Sequence, residues 1–327
     1  MKIDTTGPDK SRKLYRLFGV TMASDYIFAN PLPQVYGASD VSFTCRSTSP
    51  YPIEGMKKPV YESKSKTDDG ECFISIQTME DCHVVHFPGS VDFYLYSDRI
   101  IAHLLDPAYR YMVEILLLGE IFSLWLELRG VRMVHASAAV VDDSAIAFLS
   151  TNMGGKSSLA AAFMQQGYPL LTDDIIPVEN RHDLFLARSG YPAMRMWPDQ
   201  ANYFLGRYED LEIVHPEFSK RRILVGPHGF GTFCYEEKPL KVIYMPQRLG
   251  SDDSITIEPV PNKNAFFELI QNSFTAGIVE ALGLQPQRMK FFTRMVMQVP
   301  MRRLNYPEGF HHLSHVVDAV LEDSVSL

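Results

Sequence analysis

One stretch decides the fold of the second half of the chain: Ala145-Ile-Ala-Phe-Leu-Ser-Thr-Asn-Met-Gly-Gly-Lys-Ser157. Its first five residues are a short, continuous apolar run, which predicts a buried strand. From Ser157 an alanine-rich segment continues to Gln166, which predicts a helix that Gly167 ends. A strand, a glycine turn and a helix, in this order, are the setting of a phosphate-binding loop.

The residue types in this loop suit a nucleotide. Small residues let successive amide groups curl around an anion, a lysine bridges the β- and γ-phosphates, and a hydroxyl binds Mg²⁺. The dipole of the following helix also favours phosphate. The loop departs from GxxxxGK[ST] where Ser150 replaces glycine, so a plain strand–turn–helix connection is the alternative. The candidate nucleotide-binding residues are Ser150, Asn152, Gly154, Gly155, Lys156, Ser157 and Ser158.

Two aspartates, Asp173 and Asp174, end the next predicted strand, residues 169–172. An open α/β sheet brings strand ends to one crevice, so we expect both carboxylates near the loop. One can hold Mg²⁺ and the other can take a proton from an attacking hydroxyl. His135, in the strand predicted over 133–141, is either a buried histidine bonded to a backbone carbonyl or a group that contacts the transferred phosphoryl group.

The chain divides into two predicted domains. Residues 1–105 are β-rich, with alternating strands predicted over 41–45, 72–77 and 83–87. The second domain, 106–327, begins with a long helix that Asp106 caps, with Pro107 in the first helical position and Gly130 after the end. Further strands are predicted over 242–245 and 255–258, and a helix over 262–281.

Composition excludes several classes of function. The 327 residues are 46% hydrophobic and 21% charged, with net charge −8, so the sequence has no basic footprint for nucleic acid. The longest apolar run, 112–128, contains three glutamates, which excludes a membrane span. The N-terminus is not a signal peptide, and the four cysteines show no paired spacing. We expect a cytoplasmic protein without a nucleic-acid or membrane partner.

Three segments carry a resemblance to a known family: Val134-His-Ala-Ser-Ala138, the loop ending in Gly-Lys-Ser157, and Gly167-Tyr-Pro-Leu-Leu-Thr-Asp-Asp174. Together they resemble the catalytic core of HPr serine kinase/phosphorylase. The resemblance implies an α/β fold with a P-loop core of the HPr kinase C-terminal type, related to phosphoenolpyruvate carboxykinase and preceded here by a β-rich N-terminal domain. ATP and Mg²⁺ are the implied cofactors.

The resemblance also implies roles for individual residues. Lys156 and Ser157 bind nucleotide and Mg²⁺, Asp173 is the general base, Asp174 lies near the metal, and His135 belongs to the active site. Ser150 and Met153 depart from the glycines of the family loop.

Outer segments, over 15–25, 128–130, 190–198 and 299–307, resemble the HPr-kinase-related proteins of lasso-peptide biosynthesis. This implies phosphorylation of the C-terminal serine of a lasso precursor peptide. No N-terminal domain of HPr kinase is recognisable, which argues against HPr as substrate. HPr kinases form hexamers, so a homo-oligomer is possible. Four arginines are candidates for a phosphoryl group or a peptide carboxylate, or are plain surface residues: Arg188, Arg195, Arg302 and Arg303.

Three other functions fit the same residues. The chain could phosphorylate another protein or a small hydroxyl compound. It could bind a nucleotide for regulation without transferring phosphate, as the incomplete loop suggests. It could also release phosphate, because the family it resembles runs the reverse reaction.

Overall fold

A computed structural model describes residues 12–47, 58–67, 70–151, 154–250, 254–273 and 275–327. The chain forms two compact units, residues 1–114 and 115–327. The division lies inside the first helix, whereas the sequence placed the boundary just before that helix, at Asp106. Both units are built on sheets, and the second adds helices to give a mixed α/β architecture.

The described part of the first unit is a mixed sheet with the strand order β3-β1-β2-β4-β9-β8-β7-β6-β5. Alternation is visible in β4, where Val41 and Phe43 are buried and their neighbours are partly exposed, so the strands predicted over 41–45 and 83–87 are confirmed. The strand predicted over 72–77 starts later, at Ser75. Its strands are β1 (Lys13–Leu17), β2 (Val20–Ser24), β3 (Gln34–Val35), β4 (Val41–Arg46), β5 (Tyr61–Glu62), β6 (Ser75–Thr78), β7 (His83–Phe87), β8 (Val91–Leu95) and β9 (Arg99–Leu104).

The long predicted helix is present with both of its end signals. Asp106 accepts a hydrogen bond from the Ala108 amide at 2.8 Å, and Gly130 has a φ of 84°. The helix is not uniform, since a 3₁₀ turn and a π-helical turn interrupt it. Among the described residues, no helix is long and apolar enough to cross a bilayer. The long helix consists of a 3₁₀ turn (Pro107–Tyr109), α1 (Arg110–Leu116), a π turn (Leu117–Ile121) and α2 (Phe122–Glu127).

The second unit contains a large mixed sheet with the path β10-β14-β15-β19-β12-β11-β13, where β21 pairs with β19 and β20 with β21. A separate three-stranded sheet has the order β16-β18-β17. The strands are β10 (Arg132–Val134), β11 (Ala136–Val141), β12 (Ser144–Leu149), β13 (Leu170–Thr172), β14 (Ile176–Arg181), β15 (Leu184–Ala187), β16 (Ala193–Met196), β17 (Ile213–His215), β18 (Phe218–Leu224), β19 (Lys238–Leu249), β20 (Thr256–Pro259) and β21 (Met301–Pro307).

Six further helices complete the unit. The helix predicted over 262–281 is two helices, separated near Thr275, which has a left-handed φ of 53°. The α-helices in the described part of the second unit, after α2, are α3 (Lys156–Gln165), α4 (Pro198–Leu205), α5 (Asn262–Gln271), α6 (Ala276–Ala281), α7 (Gln285–Gln298) and α8 (Leu313–Val325).

Strand β12 is buried on both faces. Ile146 and Phe148 belong to one apolar cluster with α3, whereas Ala147 and Leu149 belong to another on the opposite face. The Phe148 ring lies 5.3 Å from the ring of Phe163 on α3. A strand covered on both faces needs apolar residues at every position, which explains the continuous run at 145–149.

The sheet topology collects several strand ends at one edge, which we call the loop edge. The strand predicted over 133–141 breaks at His135, and β11 then pairs antiparallel with both β12 and β13. The ends of β12 and β13 therefore lie beside the start of β11. Strands β19 and β21 run parallel to β12 and end at the same edge. The antiparallel strand β11, which is the shared neighbour of β12 and β13, thus brings Asp173 to the loop.

Candidate functional site

The loop after β12 leaves room only for glycine at two positions. A Cβ on Gly154 would lie 2.3 Å from the Ser150 hydroxyl oxygen, and a Cβ on Gly155 would lie 2.5 Å from the Tyr306 hydroxyl oxygen. Gly155 also has a φ of 93°, which disfavours any L side chain. Ser150, which replaces the first loop glycine, thus packs directly on Gly154. Asn152 and Met153 lie outside the described residues.

The contact between Gly155 and Tyr306 gives a prediction about stability. Gly155→Ala should lower the free energy of unfolding by about 1–2 kcal/mol for the left-handed backbone and by about 1–3 kcal/mol for the clash. In a Tyr306→Phe background the clash disappears, because the next ring atom is 3.9 Å away. Urea unfolding of the four proteins measures this coupling.

A matched control isolates the backbone contribution. Gly167 has a similar φ of 95°, but a Cβ there meets nothing within 4 Å. Gly167→Ala should therefore lower the free energy of unfolding only by the contribution of the left-handed backbone, about 1–2 kcal/mol. An equal cost of Gly155→Ala with and without the Tyr306 hydroxyl would show that the contact is absent in solution.

Lys156 begins α3 and turns its buried ammonium back into the loop. Its Nζ donates to the carbonyl oxygens of Ser150 at 2.9 Å and Thr151 at 3.1 Å, and lies 3.1 Å from Nε2 of His135. Burial lowers the pKa of Lys156, although Asp174 and Asp173 partly oppose this. Since none of its hydrogen-bond partners among the described residues is a carboxylate, the site presents a desolvated positive charge that suits an anionic ligand.

Asp173 and Asp174 sit differently although they are adjacent. Asp173 Oδ1 accepts hydrogen bonds from the hydroxyl groups of Ser137 at 2.6 Å and Ser157 at 2.8 Å. Asp174 has a left-handed φ of 70°, and its carboxylate, 41% exposed, lies 3.5 Å from Nδ1 of His135. The structure therefore brings the two aspartates and His135 together at the loop.

A cavity of about 550 Å³ opens at the loop edge. The loop glycines, Lys156, Ser157, Ser158 and Asp174 form one wall, and the three-stranded sheet and the start of α4 contribute another. Three further cations line it, Arg195, Lys220 and Arg248, together with the aromatic rings of Trp197, Phe218 and Phe310. The lining thus combines four basic side chains with the carboxylates of Asp174 and Asp199 and with aromatic rings.

Arg195 is the predicted arginine that the structure brings to this cavity. Its backbone amide also donates to Asp173 Oδ2 at 3.2 Å. Burial acts to lower the pKa of its guanidinium, but Tyr191 and the two aspartates outweigh this effect and raise the pKa. Arg195 therefore remains a cation beside the carboxylates.

The other three candidate arginines lie in ion pairs away from the cavity lining. Arg188 pairs with Glu179, Arg302 with Asp323 at 3.1 Å, and Arg303 with Glu268 at 2.7 Å. Strand β21 carries Arg302 and Arg303 at its beginning, and the loop edge is at its end. These contacts give the three arginines a structural role in the ligand-free protein.

Several residues of the site were not predicted. Gln200 joins two elements of the wall, because its side chain donates to the Ser158 hydroxyl at 2.7 Å and accepts from the Trp197 amide at 2.8 Å. Ser137 lay within a quoted segment, and its spacing of two residues from His135 could have indicated the same face of one strand. Lys220, Arg248 and Tyr306 reach the site by long-range pairing, for which the sequence shows no local signal.

The residues at the loop fit Mg²⁺ in the way that this ion binds beside nucleotides. Among the described residues, no three His, Cys, Asp or Glu side chains cluster as an all-protein metal site. Mg²⁺ commonly uses one or two carboxylates together with phosphate oxygens and water. The Ser157 hydroxyl and the neighbouring aspartates offer that donor set.

The comparisons with known proteins give likenesses to solved structures only. No protein-family model matches the chain, and no curated protein matches it. Among solved structures, the HPr(Ser) kinase/phosphatase from Coxiella burnetii is similar at 10% sequence identity and a TM-score of 0.29. The match covers 59% of this chain and 95% of that one.

Proposed function

We propose that the chain is an ATP- and Mg²⁺-dependent kinase that phosphorylates a serine hydroxyl of a peptide. One observation carries the proposal: the buried Lys156 ammonium, which donates to the carbonyl oxygens of Ser150 and Thr151, lies at a glycine loop beside paired carboxylates. A buried cation of this kind gains most from a phosphate, and the carboxylates supply metal binding and a proton acceptor. The resemblance of the outer segments further suggests the C-terminal serine of a lasso precursor peptide as the acceptor.

Nucleotide binding follows from the loop and its helix. The amides around Gly154 and Gly155 lie at the start of α3, where the helix dipole favours phosphate. Lys156 turns from the loop carbonyls to the β- and γ-phosphates. Ser157 and Asp174 hold Mg²⁺, which neutralises charge on the phosphate oxygens when it is bound.

The transfer step needs a proton acceptor beside the attacking hydroxyl. The serine oxygen forms a bond to the γ-phosphorus, the bond from that phosphorus to the β–γ bridging oxygen breaks, and ADP leaves with the electron pair. Asp173, whose carboxylate lies within hydrogen-bond distance of the Ser137 and Ser157 hydroxyl groups at the loop, takes the serine proton. Arg195 lines the cavity and offers positive charge to the phosphoryl group, and His135, which lies 3.1 Å from Nζ of Lys156, offers a hydrogen bond.

Mass spectrometry of a peptide that ends in serine tests the proposal directly. Incubation with ATP, Mg²⁺ and the protein should add one phosphoryl group to the terminal serine. A peptide with that serine changed to alanine is the matched control and should gain nothing. ATP binding without phosphorylation of this or any other hydroxyl acceptor would support the regulatory alternative, and absence of ATP binding would end the kinase interpretation.

Two related activities have their own measurements. A panel of proteins and small hydroxyl compounds, scored by the same mass gain, separates a peptide kinase from a kinase for another acceptor. Incubating the phosphorylated peptide with inorganic phosphate tests the phosphate-releasing activity, in which the phosphoryl group passes to inorganic phosphate to give pyrophosphate and the free serine is regenerated.

A further inference from the structure

Lys220 places a second lysine in the cavity, and it comes from a part of the chain unrelated to the loop. It lies on β18, the central strand of the three-stranded sheet. Residues two apart on a strand share a face, so Lys220 lies on the face of Phe218, and both line the cavity. The sheet therefore presents this ammonium to the same space as the loop.

The two ammonium groups act on each other. The charge of Lys220 contributes to the lowered pKa of Lys156, after burial as the main cause, so the two side chains lie within electrostatic reach. Within the described part of the chain, Lys220 takes part in no ion pair, and its ammonium lies over the ring of Trp197. Two cations that face one space disfavour each other unless an anion lies between them.

Trp197 fixes the position of Lys220. The ammonium lies 5.2 Å from the centroid of the Trp197 ring, within the range of a cation–π interaction. Trp197 is held in turn by Gln200, whose side chain bonds to Ser158 in the first turn of α3. A chain of contacts thus joins Lys220 to the helix that carries Lys156.

We propose that Lys220 is a second phosphate-binding lysine, which contacts the nucleotide phosphates opposite Lys156 and is positioned by Trp197. This inference rests on the proposed kinase function. The positive charge of Lys220 offsets the negative charge on the phosphoryl oxygens while the group is transferred. Trp197 acts through Lys220 and is a positioning residue.

Calorimetric titration without an acceptor tests the inference, with ATP, inorganic tripolyphosphate and adenosine as ligands. Lys220→Met should weaken binding of ATP and tripolyphosphate by about 10- to 100-fold, as expected for loss of a charged hydrogen bond, and should leave adenosine unchanged. Lys220→Arg should restore most of the affinity. Lys290→Met, which removes an exposed lysine from α7, is the matched control and should behave as wild type.

The outcomes separate this inference from the proposed function. Tripolyphosphate binding by Lys220→Met equal to wild type would overturn the inference while the kinase proposal stands. A changed KM for the peptide alone would assign Lys220 to an acceptor carboxylate and would also overturn it. Failure of the wild type to bind either ATP or tripolyphosphate would remove both proposals.

Tripolyphosphate binding, measured with and without Lys220, tests whether Trp197 acts through Lys220 or only supports the fold. Trp197→Leu should weaken tripolyphosphate binding in the Lys220 protein and should have no further effect once Lys220 is methionine. Trp197→Phe keeps a ring face and should lie between wild type and Trp197→Leu. Equal losses in both backgrounds would show that Trp197 does not act through Lys220.

Discussion

Lys156→Met is expected to lower phosphoryl transfer by about 10³-fold or more, the range seen when a preorganised charge on the transferred group is lost. The substitution keeps the length of the side chain and removes the ammonium that lies against the loop carbonyls. ATP affinity should fall with the rate, because the same charge binds the ground-state phosphates. Calorimetry and the peptide mass assay measure the two effects separately.

The pKa of Lys156 adds a dependence on pH. Burial lowers this pKa in the folded protein below the ordinary value of 10.5. In the pH window between the folded pKa and 10.5, the unfolded chain therefore binds more protons than the folded protein does. Stability of the ligand-free protein therefore rises with pH across that window. ATP binding needs the charged ammonium, so ATP affinity should fall as pH rises through the folded pKa, and this fall should be absent in Lys156→Met. Wild-type affinity that stays constant there would show that Lys156 does not contact phosphate.

Asp173→Asn is expected to lower kcat by about 10³-fold, at a cost in ATP affinity of only a few-fold, because the variant loses the proton acceptor while the loop stays intact. Asparagine can still accept hydrogen bonds from Ser137 and Ser157 through its carbonyl oxygen. Single-turnover measurements at saturating ATP would report the loss in the chemical step.

Asp174→Asn is the matched variant for this experiment. Because Asp174 is assigned to the metal, its loss should raise the Mg²⁺ concentration needed for half-maximal rate, and high Mg²⁺ should recover part of the activity. If Asp173→Asn raised the Mg²⁺ requirement and Asp174→Asn lowered kcat instead, the roles assigned to the two aspartates would have to be exchanged. Turnover equal to wild type in both variants would contradict the mechanism.

The parts of the site that the sequence predicted are those encoded locally. The apolar run before the loop, the glycines and the alanine-rich helix follow one another along the chain, so their chemistry and order were readable. Asp173 and Asp174 lie near the loop because β11 pairs with both β12 and β13, a pairing that the sequence did not show. Strand order depends on pairings between distant residues, which a single sequence does not display.

The cavity wall formed by the three-stranded sheet and the start of α4 could not be predicted for the same reason. Strand β17 is only three residues long, and β16 and β18 pair across a gap that contains α4. The arginines show a different limit. Arg188, Arg302 and Arg303 have the right chemistry for an anion, yet each is paired with a carboxylate that only the folded chain brings near.

On the proposed kinase function, the hydrogen bonds between Lys156 and its own loop compete with the nucleotide for the ammonium. A phosphate has to displace the carbonyl oxygens of Ser150 and Thr151 from Nζ before it gains that charge. Association then includes a turn of the Lys156 side chain, a step that slows binding below the diffusion limit. A ligand without an anionic group offers the ammonium no stronger partner than the two carbonyl oxygens, so the same contacts that delay a phosphate also discriminate against uncharged ligands.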